Sequence, residues 1–355
     1  MRKLVILGGG YGGMRILQRL LPNNVPKDVK VYLIDKVPYH FFKTEFYALA
    51  AGTVPDVDIR MTFPNHSPLE FINDWVEGID LEKQTVQLKN NGDFSYDHLI
   101  IGLGCENNYH NVPGADKYTY GIQSIETTRK TYKALNNLPI DSKVAIIGGG
   151  LSGVEIASEL YESRPDLNIA LFDRGDMVLS SLSVKIGKYV QNWFKERGIA
   201  VVNNSNITRV EEGILYNHDE PIEFDAIVWT AGIRANKVVR DLPVKKDKKG
   251  CVYLTPHHNI PGYENVYVVG DCAHLPYAPT AQLAEAQGDQ IASVLQKRWN
   301  NEPLPEELPT IKLKGTLGSL GKKHGFGLVA DRSLTGKVPR LLKSGVLWMY
   351  KVQNS

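Results

Sequence analysis

The chain has 355 residues, 43% of them hydrophobic and 23% charged. That is a globular composition with room for two or three domains. No apolar run approaches the roughly 20 residues of a transmembrane helix, and the four apolar residues between Lys3 and Gly8 are too few for a secretory signal core. A cytosolic protein is therefore expected. The three cysteines, Cys105, Cys251 and Cys272, are far apart and form no C-x-x-C pair, so neither a disulfide framework nor a bound metal is expected. Net charge is +2, but unevenly spread: from Ile311 to Ser355 nine Lys or Arg face one acid, Asp331, so this tail is +8 and the rest −6. Such asymmetry predicts an anionic surface as partner.

The chain opens on a short apolar strand, Leu4 to Leu7, running into Gly8-Gly9-Gly10-Tyr11-Gly12-Gly13. A strand, a G-x-G-x-x-G turn and a helix make the dinucleotide fingerprint, in which Gly8, Gly10 and Gly13 let the backbone approach a pyrophosphate at a helix N-terminus. A second strand, Val31 to Ile34, ends in Asp35, 22 residues beyond Gly13. A carboxylate there can accept hydrogen bonds from a ribose. Short strands then alternate around Asn90-Asn91-Gly92-Asp93 as an antiparallel meander. They run from Trp75 to Asp80, Gln84 to Leu88 and Tyr96 to Gly102, ahead of Gly104.

The whole pattern then repeats. Val144 to Ile147 leads into Gly148-Gly149-Gly150-Leu151-Ser152-Gly153, 140 residues after the first loop, and Asn168 to Phe172 ends in Asp173. A second meander is expected from Ile199-Val202, Ile207-Val210, Gly213-Tyr216 and Phe224-Trp229, ahead of Gly232. A repeat of about 130 residues indicates a duplicated nucleotide domain. One loop would be a weak signal. Two, each with its acid, predict two dinucleotides and electron transfer between them. A third segment breaks the repeat: Asn265 to Val269 enters Gly270-Asp271, and a helix runs from about Pro279 to Trp299. Prolines at 303, 305 and 309 mark a linker. Lys337 to Val352 reads as a short helix mixing basic, aliphatic and aromatic residues, a composition suited to a membrane interface.

These residues resemble the two-dinucleotide flavoprotein reductases over nearly the whole chain, and within them the type II, non-pumping NADH:quinone oxidoreductases. The closer likeness rests on Tyr39 to Phe46 with Ala50-Ala51-Gly52, on Thr280 to Gly288, and on Gly315 to Gly321. It implies an α/β fold of two Rossmann-like dinucleotide-binding domains, the second inserted in the first. FAD would lie on residues 1–110 and 250–310, NADH on 111–249, and 311–355 would be a C-terminal region at a membrane or interface.

The implied FAD residues are Gly8, Gly10, Gly13, Asp35, Lys36, Lys43, Thr44, Gly104, Gly270, Asp271, Ala281 and Gln282. The implied NADH residues are Gly148, Gly150, Gly153, Asp173 and Gly232. Glu155, read as lying in the first turn of its helix, would orient the nicotinamide or relay a proton. Gln282 and Gln287 would offer amides to a quinone. Glu159, one turn on from Glu155, reads as structural, and His40 as a packed histidine. Where the family carries two adjacent glutamines this chain has Ala286-Gln287, and its tail is short. These departures leave a soluble diaphorase or oxidase, or an NADH-sensing flavoprotein, as alternatives. The expected partners are a quinone and the inner face of the cell membrane, with a homodimer left open. Nucleic acid is not expected, because the basic residues sit in an apolar tail without a binding module.

Overall fold

The computed structural model describes residues 1–354 and divides the chain into two compact units. The first comprises residues 1–41, 60–106 and 233–313; the second comprises 42–59, 107–232 and 314–355. The second unit thus gathers a short early segment and the tail around residues 107–232, a grouping that no sequence spacing announces.

The first unit is built on a six-stranded sheet in the order Asn259–Ile260, Tyr263–Val268, His98–Ile101, Arg2–Leu7, Val29–Asp35 and Leu69–Asn73. All neighbours are parallel except the short first pair. Successive side chains of a strand point to opposite faces. Leu4 and Ile6 pack with the helices Tyr11–Leu20 and Ala281–Trp299, whereas Val5 and Leu7 join Val86, Leu88 and Val252 on the other side. Burial on both faces is why this strand reads as an unbroken apolar run.

The second unit has a four-stranded parallel sheet in the order Ala200–Val202, Asn168–Phe172, Lys143–Ile147 and Ala226–Trp229. Against it stand the helices Leu151–Ser163 and Val184–Lys195, and the tail packs on those helices. The tail forms an antiparallel sheet, Gly315–Leu320, His324–Val329 and Arg332–Gly336, followed by a helix Lys337–Asn354.

Both meanders are present, but not with the expected members. The third strand of the first is Gly92–Ser95, so Asn90-Asn91 makes the turn and His98–Ile101 belongs to the parallel sheet. In the second, the strands are Ile207–Glu211, Ile214–Asn217 and Glu220–Glu223, while Ala200–Val202 and Ala226–Trp229 are parallel-sheet strands. An apolar run fits a meander or a buried sheet equally well by period, and only the pairing partner distinguishes them.

Candidate active site: two dinucleotide cradles and a buried charge cluster

Each glycine loop is closed by its acid in the same way. In the first unit, Gly9 N–H donates to Asp35 Oδ2 at 2.7 Å and Val37 N–H to Asp35 Oδ1 at 3.0 Å. In the second, Gly149 N–H donates to Asp173 Oδ2 at 2.6 Å and Gly175 N–H to Oδ1 at 2.8 Å. Both carboxylates therefore latch the loop, a task beyond the ribose contact expected for them, and each retains acceptor capacity. The outer glycines are sterically required. A Cβ on Gly13 would sit 2.2 Å from Gly8 O, and one on Gly153 only 1.8 Å from Gly148 O. Gly10 and Gly150 instead face open space.

The helix starts show what the loops are for. The helices beginning after Ser124, Ser183 and Thr280 are capped by those hydroxyls. The two phosphate-loop helices, Tyr11–Leu20 and Leu151–Ser163, have Gly10 and Gly150 at their N-caps and no side-chain cap. Their first N–H groups and positive dipole ends are thus left for an anion. Both loops fit a dinucleotide pyrophosphate.

In the first unit, His40 is fully buried and its Nδ1–H donates to Gly9 O at 2.8 Å. Burial lowers its pKa to about 4, so the ring is neutral and acts as a clamp on the loop, as the packed reading expected. Gly104, Gly270 and Asp271 converge. Cys105 Sγ donates to Asp271 Oδ2 at 3.0 Å, Cys272 Sγ to Gly104 O at 3.0 Å and Cys251 Sγ to Asp271 O at 3.4 Å. Three cysteines distant in sequence thus meet around one aspartate. Burial raises the thiol of Cys251 to about 11 and that of Cys272 further, so these two are protonated and unreactive.

Lys36 Nζ lies 4.4 Å over the Trp75 ring. Ala281 and Gln282 open the helix capped by Thr280. Gln287 is wholly buried; its Oε1 accepts from Gly270 N at 2.8 Å, and its Nε2 donates to Val268 O at 3.1 Å and to His258 Nδ1 at 3.4 Å. An amide so engaged is a strut for the Gly270-Asp271 turn. It presents no surface to an electron acceptor.

In the second unit, Gly232 adopts φ +114° at the end of the sheet. Lys43 and Thr44 lie in a 3₁₀ turn, Lys43–Glu45, leading into the helix Phe46–Ala51. Glu155 corrects one expectation. Its helix starts at Leu151 and has no acid in its first turn, so Glu155 lies in the second turn, beyond most of the dipole's reach.

What holds Glu155 is a charge cluster formed with the tail. Glu155, Glu159 and Glu45 are only 4%, 3% and 8% exposed. Lys343, from the tail helix, donates to Glu155 Oε1 and, at 2.8 Å, to Tyr47 OH. Ser319 N–H donates to the same Glu155 oxygen at 2.9 Å, and Ser319 Oγ lies 3.2 Å from Tyr47 OH. Burial alone would lower the pKa of Lys343, but the Glu155 carboxylate beside it reverses this and holds it above the ordinary lysine value.

The tail helix is turned inside out. Arg340 and Lys343 face inward with Leu347 and Tyr350, while Leu341, Val346 and Trp348 are 70%, 55% and 66% exposed. The lysine partner of Glu155 went unseen in the sequence. The available signal was the half-buried run at 340, 343, 347 and 350, which shares one helical face.

Residues 2–288 match the family of pyridine nucleotide-disulphide oxidoreductases. The chain belongs to that family. It is an oxidoreductase, and it uses FAD and NADH. The NADH dehydrogenase-like protein YutJ of Bacillus subtilis is 62% identical over 354 residues, covering 100% of both chains. A type II NADH:quinone oxidoreductase of Staphylococcus haemolyticus is 26% identical over 96% of this chain and 93% of that protein. Among solved structures, NDH2 from Plasmodium falciparum in complex with NADH superposes with a TM-score of 0.83 at 19% identity, covering 98% of this chain and 94% of that one. The sulfide:quinone oxidoreductase of Aquifex aeolicus superposes at 0.81 and 20% identity, over 100% and 92%. These two likenesses establish the shared two-dinucleotide fold.

Proposed function

We propose that this protein is an FAD-dependent NADH dehydrogenase that passes electrons from NADH to a quinone at a membrane surface, without pumping protons. The observation that carries the reading is the pair of uncapped phosphate-loop helices, each latched to its own acid. Two such cradles in one chain suit hydride transfer between two bound dinucleotides. FAD supplies the chemistry that joins a hydride donor to an acceptor of electrons and protons.

The chain's own residues have the following roles. Gly8, Gly10, Gly13 and Asp35 seat the FAD pyrophosphate and ribose, with Gly104, Gly270 and Asp271 along the rest of the cofactor. Lys36 and Ala281 border that site. Gly148, Gly150, Gly153 and Gly232 seat NADH, and Asp173 disfavours a 2′-phosphate by its charge. Glu155, paired with Lys343, orients the nicotinamide or moves a proton. Gln282 offers an amide to the quinone, while Gln287 braces the Gly270-Asp271 turn.

The acceptor and the place of action are supported by the relatives' names and by the tail. Among the described residues no helix is long and apolar enough to cross a membrane. An exposed face of Leu341, Val346, Trp348 and Met349, beside Lys337 and the other basic residues of a +8 tail, suits peripheral binding to an anionic bilayer. A second reading, a diaphorase or NADH sensor, draws on Gln287, whose amide is withdrawn from any acceptor.

Anaerobic rapid mixing of the yellow protein with NADH, followed by a soluble short-chain quinone, tests the proposal. Fast bleaching with quinone-driven recovery is expected. Bleaching without recovery would remove the quinone half and leave the diaphorase or sensor, and absence of bleaching would refute the NADH site.

A further inference from the structure

In the second unit, the end of the helix Leu151–Ser163, the end of the helix Val184–Lys195 and the first turn of the tail sheet enclose an open cavity of about 380 Å³. Tyr161, Glu162, Trp193, Arg197, Lys323 and His324 line it. Its volume is that of a small-ligand site, and no residue in it serves the function proposed above.

The walls are held by packing. Trp193 is 5% exposed, and its ring meets that of Tyr161 edge-on at 6.2 Å. The Arg197 guanidinium lies over the Trp193 ring, 3.9 Å from its centroid. Its Nη1 donates to Trp193 O at 3.0 Å and to Glu196 Oε2 at 3.4 Å. On the other side Glu162 pins the turn. Lys322 N–H donates to Glu162 Oε2 at 2.9 Å. A Cβ on Gly321 would sit 2.1 Å from Glu162 Oε1, so glycine lets the turn come this close. Lys323 and His324 follow at once and are thereby fixed at the rim.

The cavity is rich in unused donors. Among the described residues, Nε and Nη2 of Arg197, Nζ of Lys323, the His324 ring and the Tyr161 hydroxyl make no hydrogen bond. The two cations face one acid, Glu162, which already accepts from the turn. A guanidinium fork beside a lysine suits a phosphate group, and the indole and phenol rings suit the carbon skeleton attached to it. The position narrows the source. Arg340 Nε donates to Gly321 O at 3.2 Å. This ties the turn to the helix whose Leu341, Leu342, Val346 and Trp348 are exposed.

We propose that this cavity seats the phosphate headgroup of an anionic phospholipid beside the tail helix. The proposal rests on the membrane reading above and gives it a specific lipid contact.

Dihexanoyl phosphatidylglycerol, titrated into the holoenzyme by calorimetry below its micelle concentration, presents the headgroup without a membrane. Saturable binding of one lipid per chain is expected. It should weaken about tenfold or more in Lys323→Gln and stay unchanged in Lys133→Gln. Both lysines are exposed, so both variants should fold, and Lys133 lies on the helix Ile125–Asn136 outside the cavity. Absence of saturable binding, or equal weakening in the two variants, overturns the proposal. Full competition by inorganic phosphate at the same concentration overturns the lipid assignment and leaves a free-phosphate site. Co-sedimentation with phosphatidylglycerol vesicles separates this site from the membrane reading. If the soluble lipid binds but vesicles do not carry the protein down, the membrane reading fails and the headgroup site stands. If vesicles carry it down but the soluble lipid does not bind, the headgroup site fails alone.

Discussion

Replacing Lys343 by Met leaves Glu155 in a site where it is 4% exposed, without its ammonium partner. Breaking a buried pair costs about 3–5 kcal/mol when the remaining charge stays charged. The Lys343 side chain is only 13% exposed and that of Glu155 5%, so solvent screening is slight. The carboxyl has an escape, because it can take a proton. With an ordinary Glu ionising near 4.3 and 1.36 kcal/mol per pH unit, protonation caps the loss at about 1 kcal/mol at pH 5 and about 4 kcal/mol at pH 7.

A carboxyl raised in the folded state contributes stability that is lost as pH rises, so the deficit of the variant should grow from pH 5 to pH 8. The native pair behaves differently. Lys343 is raised above the ordinary lysine value, so its contribution is present throughout this range and lost only in strong alkali. Urea unfolding at pH 5, 7 and 8, comparing native protein and Lys343→Met, reads the difference directly. The double variant Glu155→Gln, Lys343→Met should remove the pH dependence. A deficit equal within about 0.5 kcal/mol at pH 5 and 8 would show that Glu155 does not depend on Lys343, and the cluster argument would fail.

Three other perturbations report on separate parts of the molecule. Gly153→Ala places a methyl 1.8 Å from Gly148 O; purified protein should keep its yellow colour but bleach with NADH at least 100-fold more slowly, whereas Gly13→Ala should purify without flavin. His40 is neutral in the fold with a pKa of about 4. Unfolded chains bind its proton from about pH 6.5 downward, so stability should fall by about 3 kcal/mol between pH 6.5 and pH 4. Flavin release on acidification should follow this fall, and a flat profile would refute it. Leu341→Ser with Trp348→Ser removes two exposed apolar side chains, each worth about 1.5–3 kcal/mol if fully buried. Co-sedimentation with anionic vesicles should weaken at least tenfold, with unfolding in solution unchanged. Equal sedimentation would exclude this face as the contact.

The sequence alone determined the local chemistry: where strands run into glycine turns, which acids follow at the right distance, and that the pattern occurs twice. Those features depend on backbone conformation within about 30 residues, where steric rules for glycine and side-chain period act directly. In the structure Gly8, Gly13, Gly148 and Gly153 stand in the two turns, and Asp35 and Asp173 accept hydrogen bonds from them. The structure alone decided which apolar runs joined a meander and which a parallel sheet. It also decided that Gln287 faces Gly270 and that Glu155 meets Lys343 across 188 residues. The physical reason is range. A buried ion pair is formed by packing and desolvation between elements that share no local signal. A lysine in an aliphatic helix reads as a solvated charge until the fold turns it inward and leaves Leu341 and Leu342 outside.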